Sequence, residues 1–432
     1  MKEIRYVSAD EAVQYVKSND HVHISSAAST PQVLIDALCR RGESGALRNV
    51  RIHHIFTSGE APYADERFKN VFFTQAFFIS DNVRKNVQKG WADYIPVFLS
   101  ETQRLYRTGI IPLDVAMIMV SPPDRHGFVS LGTAVDITSA AIEKAKTVIA
   151  VVNSHVPRAW GHAIIPADMV DVWVRDDRPL VNVPCDQPTD IENQIGRHCA
   201  TLVDDGACLQ MGIGSIPNSV LTHLDDHKDL GIHTEMFSDG VLPLIEKGVV
   251  NGHCKKVCRD KVVTTFALGT KPLYDFLDDN PMVLVMDASF TNDPYNIARN
   301  PKVCAINSAL QVDISGQVCA DSIGTMLYSG VGGQIDFIQG ASMSEGGRSI
   351  IAMTSATGKG VSKIVPALAE GAGVVTTRNQ IHYLVTEYGA VDLYGKSLQE
   401  RAKLIISVAH PDAREELERA AYDRFGPHYF MI

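Results

Sequence analysis

At 432 residues the chain is longer than one hydrophobic core usually serves, so two or three domains are expected. Its 45% apolar and 21% charged content is that of a globular protein, and a net charge of −10 argues against a general nucleic-acid binder, which needs a basic face. No apolar run reaches the roughly 18 residues that cross a bilayer. No signal peptide follows Met1, and the eight cysteines are scattered through apolar runs, so a cytoplasmic protein with reduced thiols and no membrane partner is expected.

Helical patterns at 9–17, 31–40 and 139–146 alternate with strand-length apolar runs such as 115–120 and 148–152. That alternation predicts an α/β protein with largely parallel sheets. Three prolines in 178–189 (Pro179, Pro184 and Pro188) punctuate the chain and suggest two domains, 1–185 and 186–432.

In the second half, the apolar run 207–211 leads into the turn Gly212-Ile213-Gly214-Ser215-Ile216-Pro217, and a second run, 230–233, leads to Glu235, 21 residues beyond Gly214. In an open parallel sheet, loops at the carboxyl ends of adjacent strands face one crevice. The spacing therefore predicts a carboxylate beside a cradle of N–H groups. A carboxylate can be a nucleophile, and such N–H groups can bind a phosphate or stabilise an oxyanion. The plainer reading is a glutamate in the first turn of the next helix, where acids are favoured. The turn lacks the third glycine of a dinucleotide fingerprint. His253-Cys254 with Cys258 is half of a metal-ligand pattern without a second pair, so no metal is expected.

Four further features follow in the chain. Asn307 ends an apolar strand, where its amide must find structural or substrate partners. The cluster Gly330-Val331-Gly332-Gly333 lets a backbone approach a ligand closely. Lys359, flanked by Gly358 and Gly360, suits a phosphate or simply solvent. Glu387, in Thr386-Glu387-Tyr388-Gly389, either orients a site or satisfies a turn.

The chain also repeats itself. Residues 23–34 match 209–220, 50–58 match 230–238, and 124–129 match 313–318. The pairs Pro31/Pro217, Ile52/Ile232 and Gly127/Gly316 set offsets of 186, 180 and 189. Three matches in one order predict two domains of one fold. Where the second copy has Glu235 the first has Ile55, and where the second has Gly-Ile-Gly the first has Ser26-Ala27-Ala28. Scaffold positions agree while chemical positions differ, which favours the nucleophile over the helix cap.

Taken together, the Glu235 run, the Gly-Ile-Gly-Ser-Ile-Pro turn, Gly-Val-Gly-Gly-Gln-Ile-Asp-Phe (330–337) and Val-Thr-Glu-Tyr-Gly (385–389) resemble the acetyl-CoA hydrolase/transferase family. Within it the likeness is to 4-hydroxybutyrate CoA-transferases and butyryl-CoA:acetate CoA-transferases. Met119 to Asp124 and Ile405 to Pro411 extend the likeness to nearly the whole chain. The resemblance implies a duplicated fold of the class I CoA-transferase kind, with the active site in the cleft between two open α/β domains. The first domain would be a non-catalytic copy whose Ala27–Ala28 loop walls the acyl pocket. The resemblance places the covalent role on Glu235, and coenzyme A contacts on Gly212, Ile213, Gly214, Ser215, Ile216, Leu310, Gly333 and Lys359. It makes Asn307 an active-site residue. N–H groups near Ile213 and Gly332 or Gly333 are candidate oxyanion donors, and Glu387 is a candidate supporting residue. One departure is visible: where the family often carries arginine, this chain has Gln339.

The implied activity is transfer of CoA between a short-chain acyl-CoA and a carboxylate such as acetate, through a glutamyl-CoA thioester and with ping-pong kinetics. A hydrolase using the same glutamate is the alternative, and a non-catalytic CoA or nucleotide sensor is a third. A homo-oligomer is expected because symmetric assemblies are common among soluble enzymes.

Overall fold

The computed structural model describes residues 4–185, 187–212 and 214–430. The chain divides into two compact units, and it does so without a single cut. Unit 1 holds the chain up to Pro184 together with Glu235–Asp239 and Lys261–Asn292; unit 2 holds Cys185–Thr234, Gly240–Asp260 and the chain from Asp293 on. Glu235, placed in the second domain by the sequence pattern, therefore lies in unit 1. The cause is local pairing. Met236–Phe237 runs parallel to Phe266–Ala267, and Phe266 bridges to Ala134 of the first half.

Unit 1 is built on an eight-stranded sheet in the order Tyr6–Val7, Val172–Arg175, Thr147–Val152, Val115–Val120, His21–Ile24, Val50–His54, Phe72–Ala76, Ala92–Tyr94. Every neighbouring pair is parallel. Val115–Val120 is buried along its whole length, as a strand covered on both faces must be. Helices Gln32–Glu43, Asp81–Gln88, Leu99–Arg107 and Thr138–Lys144 supply the cover.

Unit 2 repeats the plan with six strands, in the order Gly231–Ile232, Cys208–Met211, Val303–Asn307, Arg348–Ala352, Tyr383–Thr386, Gly389–Asp392; only the last pair is antiparallel. Its core gathers Val312, Ile351, Leu384, Ile405 and Leu417, the last from the C-terminal helix Pro411–Phe425.

The repeat extends to individual bonds. The Asp124 carboxylate accepts the N–H groups of His126 (2.8 Å) and Phe128 (2.9 Å). Asp313 does the same for Ser315 (2.9 Å) and Gln317 (3.0 Å). Gly127 and Gly316 occupy the same turn position, with φ of 84° and 93°.

The sheet of unit 1 carries an unexpected polar row. His23 and His53 are side by side in register, His21 Nδ1 lies 2.9 Å from His53 Nε2, and His23 lies 3.3 Å from both the Tyr106 hydroxyl and Thr138 Oγ1. Burial drives the pKa of His23 and of His53 down to about 3, and that of the equally buried His54 down to about 4. The unfolded chain, with histidines near 6.5, binds protons that the folded one refuses. Stability is thus full above about pH 6.5 and falls as the pH drops towards the folded values, by about 1.4 kcal/mol per pH unit for each such histidine. Urea midpoints should drop steeply from pH 7 to 5, and His54→Phe should make the slope shallower. A flat midpoint over that range would mean that the histidines titrate normally.

Candidate active site

Glu235 is held by its backbone before its side chain does anything. Its carbonyl accepts three hydrogen bonds, from Thr265 N–H (3.0 Å), Phe266 N–H (3.1 Å) and the Thr264 hydroxyl (3.0 Å). Just upstream in the chain, Thr234 donates its hydroxyl to the Met211 carbonyl at 3.0 Å. The next helical turn begins only at Asp239, so Glu235 does not cap it. The half-buried carboxylate points Oε2 at Asn292, whose side-chain amide donates to it at 3.2 Å.

Asn292 is fully buried and closes the short helix Ala288–Thr291. The sequence reading missed it, because Thr-Asn-Asp-Pro (291–294) looks like punctuation between two helices. Its role appears only once 262–264 pairs with 283–285 and sets the following turn beside Glu235.

In unit 2 most of the remaining candidates gather along the carboxyl edge of the sheet. Gly212 leaves the end of Cys208–Met211, Asn307 ends Val303–Asn307, and Glu387 follows Tyr383–Thr386. Gly214 has φ 122°, a conformation that side chains resist, and it introduces helix Ser215–Thr222. A Cβ at Gly212 or Gly214 would meet nothing within 4 Å, so this backbone is open to approach. Ile213 lies outside the described residues. The Ser215 hydroxyl is taken by Glu192, and Ile216 is half-buried in the helix's first turn. Gly332 (φ 54°) and Gly333 introduce the crossover helix Gln334–Met343. Two helix N-termini thus offer N–H groups suited to oxygen-rich anions.

Several side chains have partners within the unit. Asn307 and Gln210 exchange amide hydrogen bonds at 2.9 and 3.4 Å across adjacent strands. Leu310 donates its N–H to the Cys319 carbonyl at 2.8 Å. Glu387 accepts from Ser355 N–H (2.9 Å) and hydroxyl (2.6 Å), which is the turn-holding reading. Burial lowers the pKa of the nearby Lys363 while the Glu387 charge opposes the shift. Lys359 is exposed at the tip of a tight turn closed by Thr357 and Val361. Gln339 accepts from the Gln380 amide at 3.1 Å, one neutral amide on another.

Unit 1 has a cavity of about 190 Å³ at the carboxyl ends of its central strands, lined by Ala27, Ala28, Ser58, Met119, Asn153 and Arg178, among others. Ala27 donates its N–H to Phe56, whose ring lies 6.3 Å from that of Phe266, the residue bonded to the Glu235 carbonyl. Among the described residues no group of three metal-ligating side chains occurs, and His253 is engaged by Asp260 at 2.7 Å. No described helix is long and apolar enough to cross a membrane.

Residues 3–184 match the acetyl-CoA hydrolase/transferase N-terminal domain, and 269–421 match the C-terminal domain of that family. A succinyl-CoA:acetate/propanoyl-CoA:succinate CoA transferase of Fasciola hepatica is 46% identical over 96% of this chain and 87% of its own. A 4-hydroxybutyrate coenzyme A transferase of Clostridium kluyveri is 43% identical over 98% of each. The crystal structure of a 4-hydroxybutyrate CoA-transferase from Porphyromonas gingivalis superposes with a TM-score of 0.84, at 37% identity and 98% coverage of both chains.

Proposed function

Since the chain belongs to the acetyl-CoA hydrolase/transferase family, we propose that it is a CoA-transferase that passes CoA from a short-chain acyl-CoA, such as 4-hydroxybutyryl- or butyryl-CoA, to a carboxylate such as acetate, with Glu235 as covalent carrier. The observation that carries the reading is the Glu235 carboxylate, fixed at its backbone and oriented by one buried amide.

The chemistry follows from that arrangement. A glutamate carboxylate is ionised near neutrality from its reference pKa. It attacks the acyl-CoA carbonyl, the C–S bond breaks, and an acyl-glutamyl anhydride and CoA thiolate result. The thiolate then attacks the glutamyl carbonyl, and the first acid leaves as its carboxylate with the bond's electron pair. Glu235 is now a CoA thioester. An incoming carboxylate reverses both steps and regenerates Glu235. Splitting one hard exchange into four easier additions and eliminations is the advantage of a covalent carrier.

Asn292 has a defined part in this sequence. The oxygen to which it donates becomes the carbonyl oxygen of the glutamyl thioester, and an oxyanion when the glutamyl carbon is attacked. N–H groups near Ile213, Gly332 and Gly333 serve the oxyanion on the substrate carbon. CoA is bound by Gly212, Gly214, Ser215, Ile216, Leu310, Gly333 and Lys359, which puts its nucleotide against a helix N-terminus and one lysine. The small side chains of Ala27 and Ala28 leave the unit 1 cavity free for a short acyl chain. The assembly is a cytoplasmic homo-oligomer in this reading.

Incubation with butyryl-CoA and digestion should add CoA, or the hydroxamate formed on trapping with hydroxylamine, to the peptide containing Glu235. An unmodified peptide under turnover would end the covalent reading. Acetate should accelerate loss of butyryl-CoA and appear as acetyl-CoA; equal loss without acetate would indicate hydrolysis.

Lys359→Ala should raise KM for acyl-CoA about tenfold with kcat unchanged, because a phosphate contact is made in ground and transition states alike. The effect should vanish with dephospho-CoA thioesters if the 3′-phosphate is the partner. Equal KM values for both enzymes would leave Lys359 in solvent.

A further inference from the structure

A helix of four residues, Ala288–Thr291, leads into Asn292, and so short a helix does not hold itself together. Asp287 anchors it at its start. One carboxylate oxygen of Asp287 caps the helix by accepting Ser289 N–H at 2.7 Å. The other accepts Arg107 Nη2 at 2.8 Å and the Ser139 hydroxyl. The carboxylate is almost entirely buried, with 4% of the side chain exposed, whereas its cation is only partly covered. Burial opposes its ionisation, but hydrogen bonds from Ser139 and Ser289, with the Arg107 charge, hold its pKa below the ordinary carboxylate range.

The grip continues in both directions. Arg107 also clasps Glu143, through Nε at 2.9 Å and Nη2 at 3.0 Å. The Asp287 N–H donates to His162 Nδ1 at 3.2 Å, and Ala288 N–H donates to the Asp136 carbonyl at 2.9 Å. At the far end of the helix, Asn292 N–H donates to the Ala288 carbonyl at 2.9 Å while its side-chain amide meets Glu235. A buried carboxylate with a charged partner costs more than an apolar core residue of the same size, so stability alone does not account for it. A cap by itself needs no arginine, because a neutral Asn or Ser caps as well.

We propose that Asp287, gripped by Arg107 and Ser139, is a positioning residue of the transfer reaction: it fixes the turn that carries Asn292 and thereby the attack orientation of the Glu235 carboxylate. The inference rests on the reading of Glu235 as nucleophile. Asp287 touches no reacting atom. It acts through Asn292, and that makes its contribution measurable.

Asp287→Asn keeps the size and the capping oxygen but removes the charge that holds Arg107. In the full-length enzyme, kcat should fall ten- to a hundredfold while KM for butyryl-CoA stays within twofold. In an Asn292→Ala background, assayed at high enzyme concentration, the same substitution should cost less than twofold, because the group it positions is gone. Arg107→Gln leaves the cap in place and should reproduce both results, which covers the case of an Asp287→Asn protein that does not fold. Equal losses in both backgrounds would reduce Asp287 to a stabiliser, and an unchanged kcat in the folded single variants would overturn the proposal outright. Single-turnover labelling of the Glu235 peptide separates the two readings. Wild type that never labels removes the nucleophile itself. Wild type that labels, alongside an Asp287→Asn enzyme labelling at the same rate, removes only the positioning role.

Discussion

Glu235→Ala should lower kcat by about a thousandfold or more while leaving the protein folded. The two halves of that expectation have separate causes. The bonds that hold position 235 are made by its carbonyl, to Thr264, Thr265 and Phe266, and an alanine keeps them all. The side chain is only half-buried, so the thermal midpoint should move by no more than a few degrees. The chemistry, by contrast, has no substitute: without the carboxylate neither the anhydride nor the thioester can form. Steady-state transfer from butyryl-CoA to acetate gives the test, and residual turnover within tenfold of wild type would end the covalent mechanism.

Asn292→Ala should cost about a hundred- to a thousandfold in kcat, on the order of 3 kcal/mol, the usual worth of one oxyanion donor in a water-excluded site. The affected steps are those in which the glutamyl carbon is attacked. KM for acyl-CoA should therefore change little, and the glutamyl-CoA thioester, once formed, should persist longer when acetate is added. Stopped reactions analysed for the modified Glu235 peptide would show this directly. A kcat within tenfold of wild type would leave the amide as packing. The buried position makes some loss of stability certain to accompany the change, so the kinetic comparison belongs at a temperature where both proteins are folded.

Much of this was legible before any coordinate. The strands flanking Gly212 and preceding Glu235 announced themselves by apolar runs that end in glycine or a polar residue, and they pair in parallel as expected. The duplication was legible because Asp124 and Asp313 must each be followed by a small turn with glycine at the same place. Membership of Glu235 in the first unit was not. It depends on Phe266 finding Ala134, a pairing between residues far apart in the chain with no local signature. Asn292 was hidden for the same reason, since one asparagine in a turn looks like any other until its neighbours are in place. The histidine row defeats pattern reading altogether: polar residues at 21, 23 and 53 suggest an exposed face, yet helices Leu99–Arg107 and Thr138–Lys144 bring Tyr106 and Thr138 against it.

The return of the chain to unit 1 has a consequence for anyone who would handle the halves separately. Trp160–Gly161 pairs with Val283–Val285, which in turn pairs with Val262–Thr264, so a fragment ending at Pro184 loses both partner strands and bares a sheet edge that invites aggregation. It also loses Glu235–Asp239, and with them the carboxylate proposed as the nucleophile. Neither unit is one continuous stretch of chain. A chimera joined at the proline-rich linker would carry a first half missing its own strands, and grafting the first half of a relative requires transplanting 235–239 and 261–292 with it.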